Sequence, residues 1–219
     1  MTQVIKEFEL YIFDLDGTIL DTFADIATAT NQTLRSFGVE PLPVDQVRSY
    51  VGQGAKWMLS QSLQAAGLTG KEEMEKALEM FPTLYLKHIA DETRPYPGAL
   101  ETLKGLKAKG KTIALCTNKP YDWTIKLLGL LGITEHFEHI LGGDSLDKKK
   151  PDPAPIYHML DHFKASPKQT VMVGDSIYDI HAGNRADTFT CGIDYGVHSL
   201  QQLKEASADY LIKNLQELL

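Results

Sequence analysis

Cysteine is scarce: Cys116 and Cys191 are the only two in 219 residues, each inside an apolar run and neither in a C-x-x-C pair. That excludes a disulfide framework and a thiolate metal cage, and both thiols are expected to be buried and reduced. No apolar stretch reaches the roughly 18 residues of a membrane span, and residues 1–9, with Lys6, Glu7 and Glu9, lack the apolar segment of a secretory leader. A soluble cytoplasmic protein is expected. Positive charge is also short, with 22 Lys and Arg against 29 Asp and Glu for a net charge of -7. Apart from Lys148-Lys149-Lys150 there is no basic block, so neither nucleic acid nor a membrane surface is an expected partner. Repeats and low-complexity segments are missing too. The 43% hydrophobic content is ample for one sizeable core plus a smaller inserted domain.

What is present begins with Phe8, Leu10, Tyr11, Ile12 and Phe13, an aromatic and β-branched run closed by Asp14-Leu15-Asp16-Gly17-Thr18. Such a run reads as a buried strand ending in a turn. Residues two apart on a strand share a face, so Asp14 and Asp16 are expected to project together beyond its carboxyl end, where open α/β sheets bind ligands. Two carboxylates this close repel, and a hard divalent cation is the natural neutraliser. An Asp-Gly alone marks only a polar turn. Motifs farther along give this one its weight.

From Leu20 the apolar period changes to three and four residues, through Phe23, Ile26, Thr30, Leu34 and Phe37, and stops at Gly38 as an amphipathic helix would. Asp45 is the expected cap of the next helix, and Gly52 and Gly54 interrupt the pattern before it resumes. A longer helix is expected from Glu72 to about Ala90, kinked or broken at Pro82. The next strand, Thr112 to Cys116, arrives only after a further helix carrying Leu100, Leu103 and Leu106. One βαβ crossover needs about a dozen residues, so 19–92 reads as an inserted helical domain and 1–18 with 93–219 as the core. Beyond Thr112 the expected alternation is helix 120–131, strand 137–141, helix 154–163, strand 171–173, helix 177–185 and strand 189–193. A helix at 200–206, an edge strand at 210–212 and a closing helix at 215–219 complete it. The fold class is α/β, a doubly wound parallel sheet with an inserted α-helical cap domain.

Each remaining polar cluster falls at the carboxyl end of a strand. Thr117 and Asn118 follow the second strand, with Pro120 at the first helical position and backbone amides facing an anion, although the same pair also serves as an ordinary helix cap. Pro151 restricts the backbone of Lys150 and so aims a cation at the crevice, whereas Lys148 and Lys149 read as solvated. Asp175 ends another strand, and Asp179 lies four residues on, on the following helix. Magnesium usually takes one or two carboxylates from protein. Asp14 and Asp175 are the expected direct ligands, with Asp179 either a third or the support behind them.

In this order DLDGT, the threonine of CTNKP, the lysine of KKKP and the GDSIYD run resemble the four motifs of the haloacid dehalogenase superfamily, across nearly the whole chain. The insertion after the first motif is similar to the small helical cap of its phosphoglycolate phosphatase group. The resemblance implies Asp14 as a nucleophile that becomes an aspartyl-phosphate and Asp16 as the acid and then the base. It further implies Thr117, Asn118 and Lys150 around the phosphate, with Mg²⁺ among Asp14, Asp16, Asp175 and Asp179. Aspartate at position 16 also argues against dehalogenation, since dehalogenases of the superfamily lack it there. The expected activity is Mg²⁺-dependent hydrolysis of a small phosphorylated metabolite, 2-phosphoglycolate first. β-Phosphoglucomutase-like phosphomutases, pyrophosphatases and sugar-phosphate phosphatases share the motifs, and a receiver-like phospho-signalling domain gathers similar residues without the insertion. Gly52, Gln53, Gly54 and Lys56 are the candidate specificity loop, because two glycines let a backbone approach a ligand. The protein is expected as a monomer or homodimer.

Overall fold

The strand β1 (Leu10–Phe13) is buried at every residue, the pattern of a strand covered on both faces of a parallel sheet. The computed structural model describes residues 5–219, and the first four residues of the expected core segment 1–18 lie outside that range. After β1 come β2 (Leu20–Asp21), α1 (Phe23–Arg35), α2 (Val44–Arg48), α3 (Ala55–Ala65), α4 (Lys71–His88) and β3 (Arg94–Pro95). The chain continues through α5 (Ala99–Ala108), β4 (Thr112–Cys116), α6 (Tyr121–Leu131), β5 (His139–Leu141), α7 (Ala154–Phe163) and β6 (Thr170–Gly174). It closes with α8 (Ile177–Arg185), β7 (Phe189–Ile193), α9 (Leu200–Glu205) and β8 (Tyr210–Ile212). Two compact units result, one of residues up to Leu20 with Pro95–Leu219 and one of Asp21–Arg94.

In the first unit six parallel strands run in the order β5-β4-β1-β6-β7-β8. β1 takes the middle because it has two neighbours in register: Leu10 faces Thr112 and Thr170, and Phe13 faces Leu115 and Val173. Leu10, Ile12, Ala114, Cys116 and Met172 form one apolar core with Ile156 and Met159 of α7 and Ala182 of α8. Both cysteines lie buried and unpaired, in β4 and β7, and burial pushes the Cys116 thiol up to about 12.

Several local expectations are corrected. α4 runs unbroken through Pro82. Proline removes one hydrogen bond of the ladder, but buried Ala77, Phe81 and Tyr85, with Phe81 and Tyr85 stacked 5.7 Å apart, hold the helix on both sides of it. Pro43, not Asp45, precedes the first turn of α2, where its carbonyl accepts from Gln46 and Val47 N–H. Pro120 likewise caps α6 instead of entering it. The closing segment is a 3₁₀ turn, Leu215–Leu218. β5 holds three residues where five were expected, and the two-residue strands β2 and β3, which pair with each other, were not foreseen.

The second unit packs around Leu34, Leu63 and Ala77, with Phe37, Leu42, Leu68 and Met74 at the margin. Its buried charge is Asp25 on α1, which gathers the end of the unit onto the helix. The Asp25 carboxylate accepts from Glu92 N at 2.9 Å, Thr93 N at 2.9 Å and Thr93 Oγ1 at 2.7 Å. An Asp25→Ala substitution leaves the buried Thr93 N–H and hydroxyl and the partly buried Glu92 N–H without their acceptor and is expected to lower stability by on the order of 3 kcal/mol in urea unfolding. An unchanged midpoint would mean that this carboxylate is not what fixes residues 92–93.

Candidate functional site

At the carboxyl rim of the sheet, the β1–β6 ladder extends one residue past β1, since Asp14 N donates to Val173 O at 2.9 Å. Asp14 is thereby fixed by backbone as it leaves the strand. Asp175, just past β6, has both oxygens occupied: Thr18 Oγ1 donates to Oδ1 at 2.8 Å and Val197 N to Oδ2 at 2.6 Å. Gly196 makes that approach possible, because a Cβ there would lie 2.0 Å from Asp175 Oδ2. Asp179 closes the first turn of α8 by accepting from Ser176 N at 3.0 Å and Ser176 Oγ at 2.6 Å. Gly174 leaves it room, since a Cβ there would sit 2.3 Å from its carboxyl carbon.

Lys150 joins these elements. Its buried Nζ donates to Cys116 O at 2.5 Å and Asp179 Oδ1 at 2.6 Å, and pairs with Asp14 Oδ1 at 2.9 Å. Its peptide bond to Pro151 is cis. Oxygens of Asp14, Asp175 and Asp179 all lie within 4.8 Å of one another. Three carboxylates against one ammonium leave a formal charge of -2, which one divalent ion would cancel. Burial drives Asp14 up to about 7, opposed by Lys150 and aided by Asp179. Burial, with Asp14 and Asp179 as neighbours, drives Asp175 up to about 8. Burial alone would depress Lys150, but the two aspartates outweigh it and hold the ammonium well above its ordinary value. Hard oxygen donors with surplus negative charge are the chemistry of a magnesium-type site, so these residues fit a divalent cation.

Asp16 stands apart from that cluster. Its carboxylate meets Lys119 Nζ twice, at 2.9 and 3.0 Å. Lys119 is 6% exposed, and sequence reasoning passed over it. A signal was available, because Lys119 precedes Pro120 just as Lys150 precedes Pro151. Thr117 lies at the end of β4, its N–H donating to Leu141 O at 3.0 Å and its hydroxyl accepting from Lys119 N at 3.2 Å. The Asn118 amide donates to Lys150 O at 2.8 Å, which commits it to placing the lysine. Tyr195, also unforeseen, donates its hydroxyl to Thr18 O at 2.8 Å and packs its ring against Tyr96, with centroids 4.1 Å apart and planes tilted by 31°.

The loop proposed for specificity belongs to the helical unit. Gly52 and Gly54 have φ of 118° and 87°, conformations that favour glycine. Gly54 caps α3, and Lys56 is exposed on the first turn of that helix beyond Gln53 and Gly54.

A six-stranded parallel sheet flanked by helices, with an acidic cluster and a buried lysine at its carboxyl rim, defines an α/β protein whose rim can hold a cation beside an anionic group. Residues 11–193 match the haloacid dehalogenase-like hydrolase family. The chain is 38% identical to a phosphoglycolate phosphatase of Psychrobacter arcticus, covering 94% of this chain and 96% of the relative. It is 37% identical to one of Vibrio vulnificus, covering 100% and 97%. A crystal structure of a predicted phosphoglycolate phosphatase from Haemophilus somnus superposes with a TM-score of 0.92 at 30% identity, covering 98% of this chain and 97% of that one. The chain therefore belongs to the haloacid dehalogenase-like hydrolases. Within them it is a phosphatase, a phosphoric monoester hydrolase, and such enzymes generally use a divalent metal ion.

Because Asp14 and Asp175 hold protons up to about 7 and 8, a cation entering the cluster must displace them in acid and meets ionised carboxylates in base. Divalent-ion affinity measured by calorimetry is expected to rise from about pH 6 to about pH 8, roughly tenfold per pH unit for each proton displaced. A flat profile would place the ion elsewhere.

Proposed function

We propose that this chain is a Mg²⁺-dependent phosphatase that hydrolyses 2-phosphoglycolate through an aspartyl-phosphate on Asp14. The observation carrying the reading is the convergence of Asp14, Asp175 and Asp179 at the sheet rim, with Lys150 paired to Asp14 and Asp179. The relatives named phosphoglycolate phosphatase support 2-phosphoglycolate as the substrate.

Magnesium held by Asp14 and Asp175 would supply Lewis-acid polarisation of the phosphoryl oxygens and offset anion–anion repulsion. The chain's own residues do the rest. An Asp14 carboxylate oxygen attacks phosphorus and the bond from phosphorus to the glycolate oxygen breaks, while Asp16 gives that oxygen its proton. Asp16, now a carboxylate, takes a proton from the water that attacks the phosphoenzyme. The bond between Asp14 and phosphorus breaks, inorganic phosphate leaves, and Asp14 is restored. Lys150 and the Thr117 hydroxyl stabilise charge on the equatorial oxygens, since phosphoryl transfer depends chiefly on positioning and electrostatics. Asn118 acts on the phosphate through Lys150, whose carbonyl it holds. Asp179 does the same by orienting the Lys150 ammonium. For Asp16 to carry its proton, at least one of its two contacts with Lys119 must open.

A phosphomonoester panel with and without Mg²⁺, scored by released phosphate, is expected to show metal-dependent hydrolysis with phosphoglycolate preferred. Asp14→Asn is expected to lower it by at least about a thousandfold. Metal-independent turnover, or near-normal rates in Asp14→Asn, would overturn the mechanism.

Phosphoglycolate carries a carboxylate as well as a phosphate, and Lys150 is already committed at the rim. Lys56, solvent-exposed beside Gly52, Gln53 and Gly54, is our candidate for reading that carboxylate. Lys56→Ala is expected to raise KM for phosphoglycolate about tenfold with kcat unchanged, because binding is lost and transition-state chemistry is not. p-Nitrophenyl phosphate, which lacks the carboxylate, should respond little. Equal effects on both esters would remove Lys56 from specificity.

A further inference from the structure

Asp16 has to act twice from one place, first giving a proton to the leaving oxygen and then taking one from water. An aspartate side chain turns about two torsions, so a group that serves two atoms in succession needs something to fix its bearing. Lys119 stands where that can be done. Its Nζ lies 2.9 and 3.0 Å from the two Asp16 oxygens, astride the carboxylate, and the side chains of the pair are 4% and 12% exposed.

Backbone fixes both ends of this contact. On the Asp16 side, Gly17 N donates to Leu20 O at 2.9 Å, and Leu15 O accepts from Thr18 N, Ile19 N and Leu20 N at 3.2, 3.0 and 3.0 Å, so the carboxylate rises from a closed turn. On the other side, Lys119 N donates to Thr117 Oγ1 at 3.2 Å and Lys119 O accepts from Gly143 N at 2.7 Å. Only glycine fits at 143, since a Cβ there would lie 2.3 Å from Asn118 O. The loop after β5 thus presses on the loop after β4 and holds the lysine in place.

We propose that Lys119 is a positioning residue for Asp16, holding the carboxylate at a fixed bearing toward the leaving oxygen and then toward water. The inference rests on the acid and base roles given to Asp16 above. An ionised carboxylate has about four acceptor sites, so two contacts with Lys119 leave each oxygen able to meet a further donor. That is the state that receives a proton from water as the water oxygen bonds to phosphorus and the bond from phosphorus to Asp14 breaks. While Asp16 carries the proton, one contact with Lys119 opens and the other tethers the group. Giving the proton to the glycolate oxygen recloses the first. Exposed ion pairs hold their geometry weakly, whereas this one is nearly enclosed and met at both oxygens.

The test follows the phosphoenzyme by rapid quench in the full chain, loaded with labelled acetyl phosphate and Mg²⁺. Acetate leaves without needing a proton, so loading of Asp14 does not depend on Asp16. Lys119→Met should take label and lose it at least about tenfold more slowly than the wild-type chain, a share of the roughly 10²–10⁴-fold that a positioned acid–base group contributes. Lys119→Arg, whose planar fork also spans a carboxylate, should recover part of the rate. In an Asp16→Asn background, Lys119→Met should leave the decay as it is, because a residue that acts only through Asp16 then has nothing to act on. With phosphoglycolate as substrate, Lys119→Met should lower kcat without raising KM. Wild-type decay in Lys119→Met, further slowing in the Asp16→Asn background, or a raised KM with kcat unchanged would overturn the positioning role and leave the aspartyl-phosphate standing. Failure of Lys119→Met to take label would make the pair a support of the whole rim and would overturn the role as well. Absence of label in the wild-type chain would instead overturn the phosphatase mechanism itself, and this inference with it.

Discussion

One buried ammonium sets the terms for everything at the sheet rim. Lys150 Nζ lies within 2.9 Å of Asp14 Oδ1, Asp179 Oδ1 and the Cys116 carbonyl, drawing the ends of β1 and β4 and the first turn of α8 to one point. At an effective dielectric near 20, two unit charges about 4 Å apart attract by about 4 kcal/mol, and taking such groups out of water costs a comparable amount. The cluster therefore contributes little net stability but specifies geometry closely. Its shortfall of positive charge is also what makes a divalent ion welcome there. The second carboxylate of the first motif has its own cation, so two lysine–aspartate systems lie side by side, one built around Asp14 and one around Asp16.

Much of this was legible in the chain, for local reasons. β1 is an unbroken apolar run, β4 and β6 are apolar after an initial threonine, and a parallel sheet buries such runs on both faces. The helical insertion was legible as excess length between the first long strands. Asp14, Thr117 and Asp175 directly follow β1, β4 and β6 in keeping with the same pattern, whereas Lys150 lies in the loop between β5 and α7. The side-chain pairings were not legible, because they join distant segments: Lys119 and Asp16 are 103 residues apart, and Asn118 reaches the Lys150 carbonyl across 32. Which side chain meets which depends on strand order, and periodicity does not encode strand order. Pro82 shows the opposite failure. A sound local rule predicted an interruption, and the packing of Phe81 and Tyr85 outweighed it.

Glycine does quieter work at the same rim. Gly174 and Gly196 each leave space that a methyl group would fill, one beside Asp179 and one beside Asp175. Their contribution is the absence of a side chain, which lets backbone N–H groups and neighbouring segments close around carboxylates at hydrogen-bond distance. Residues that carry no chemistry of their own thus set how tightly the acidic groups are gathered.

The central place of β1 in the sheet has a bearing on how the protein is made. Its two neighbours, β4 and β6, span Thr112–Cys116 and Thr170–Gly174, so this early strand is not flanked on both sides until β6 has left the ribosome. Until residue 174 has emerged, an apolar strand retains an unpaired edge, the kind of surface that recruits other chains. The helical stretch that follows β1 has no such dependence, since its core residues, Leu34, Leu63 and Ala77, are all translated before β4. Translation thus completes the helical core early and leaves Asp14, on the end of β1, without its lysine until the ribosome has passed position 150.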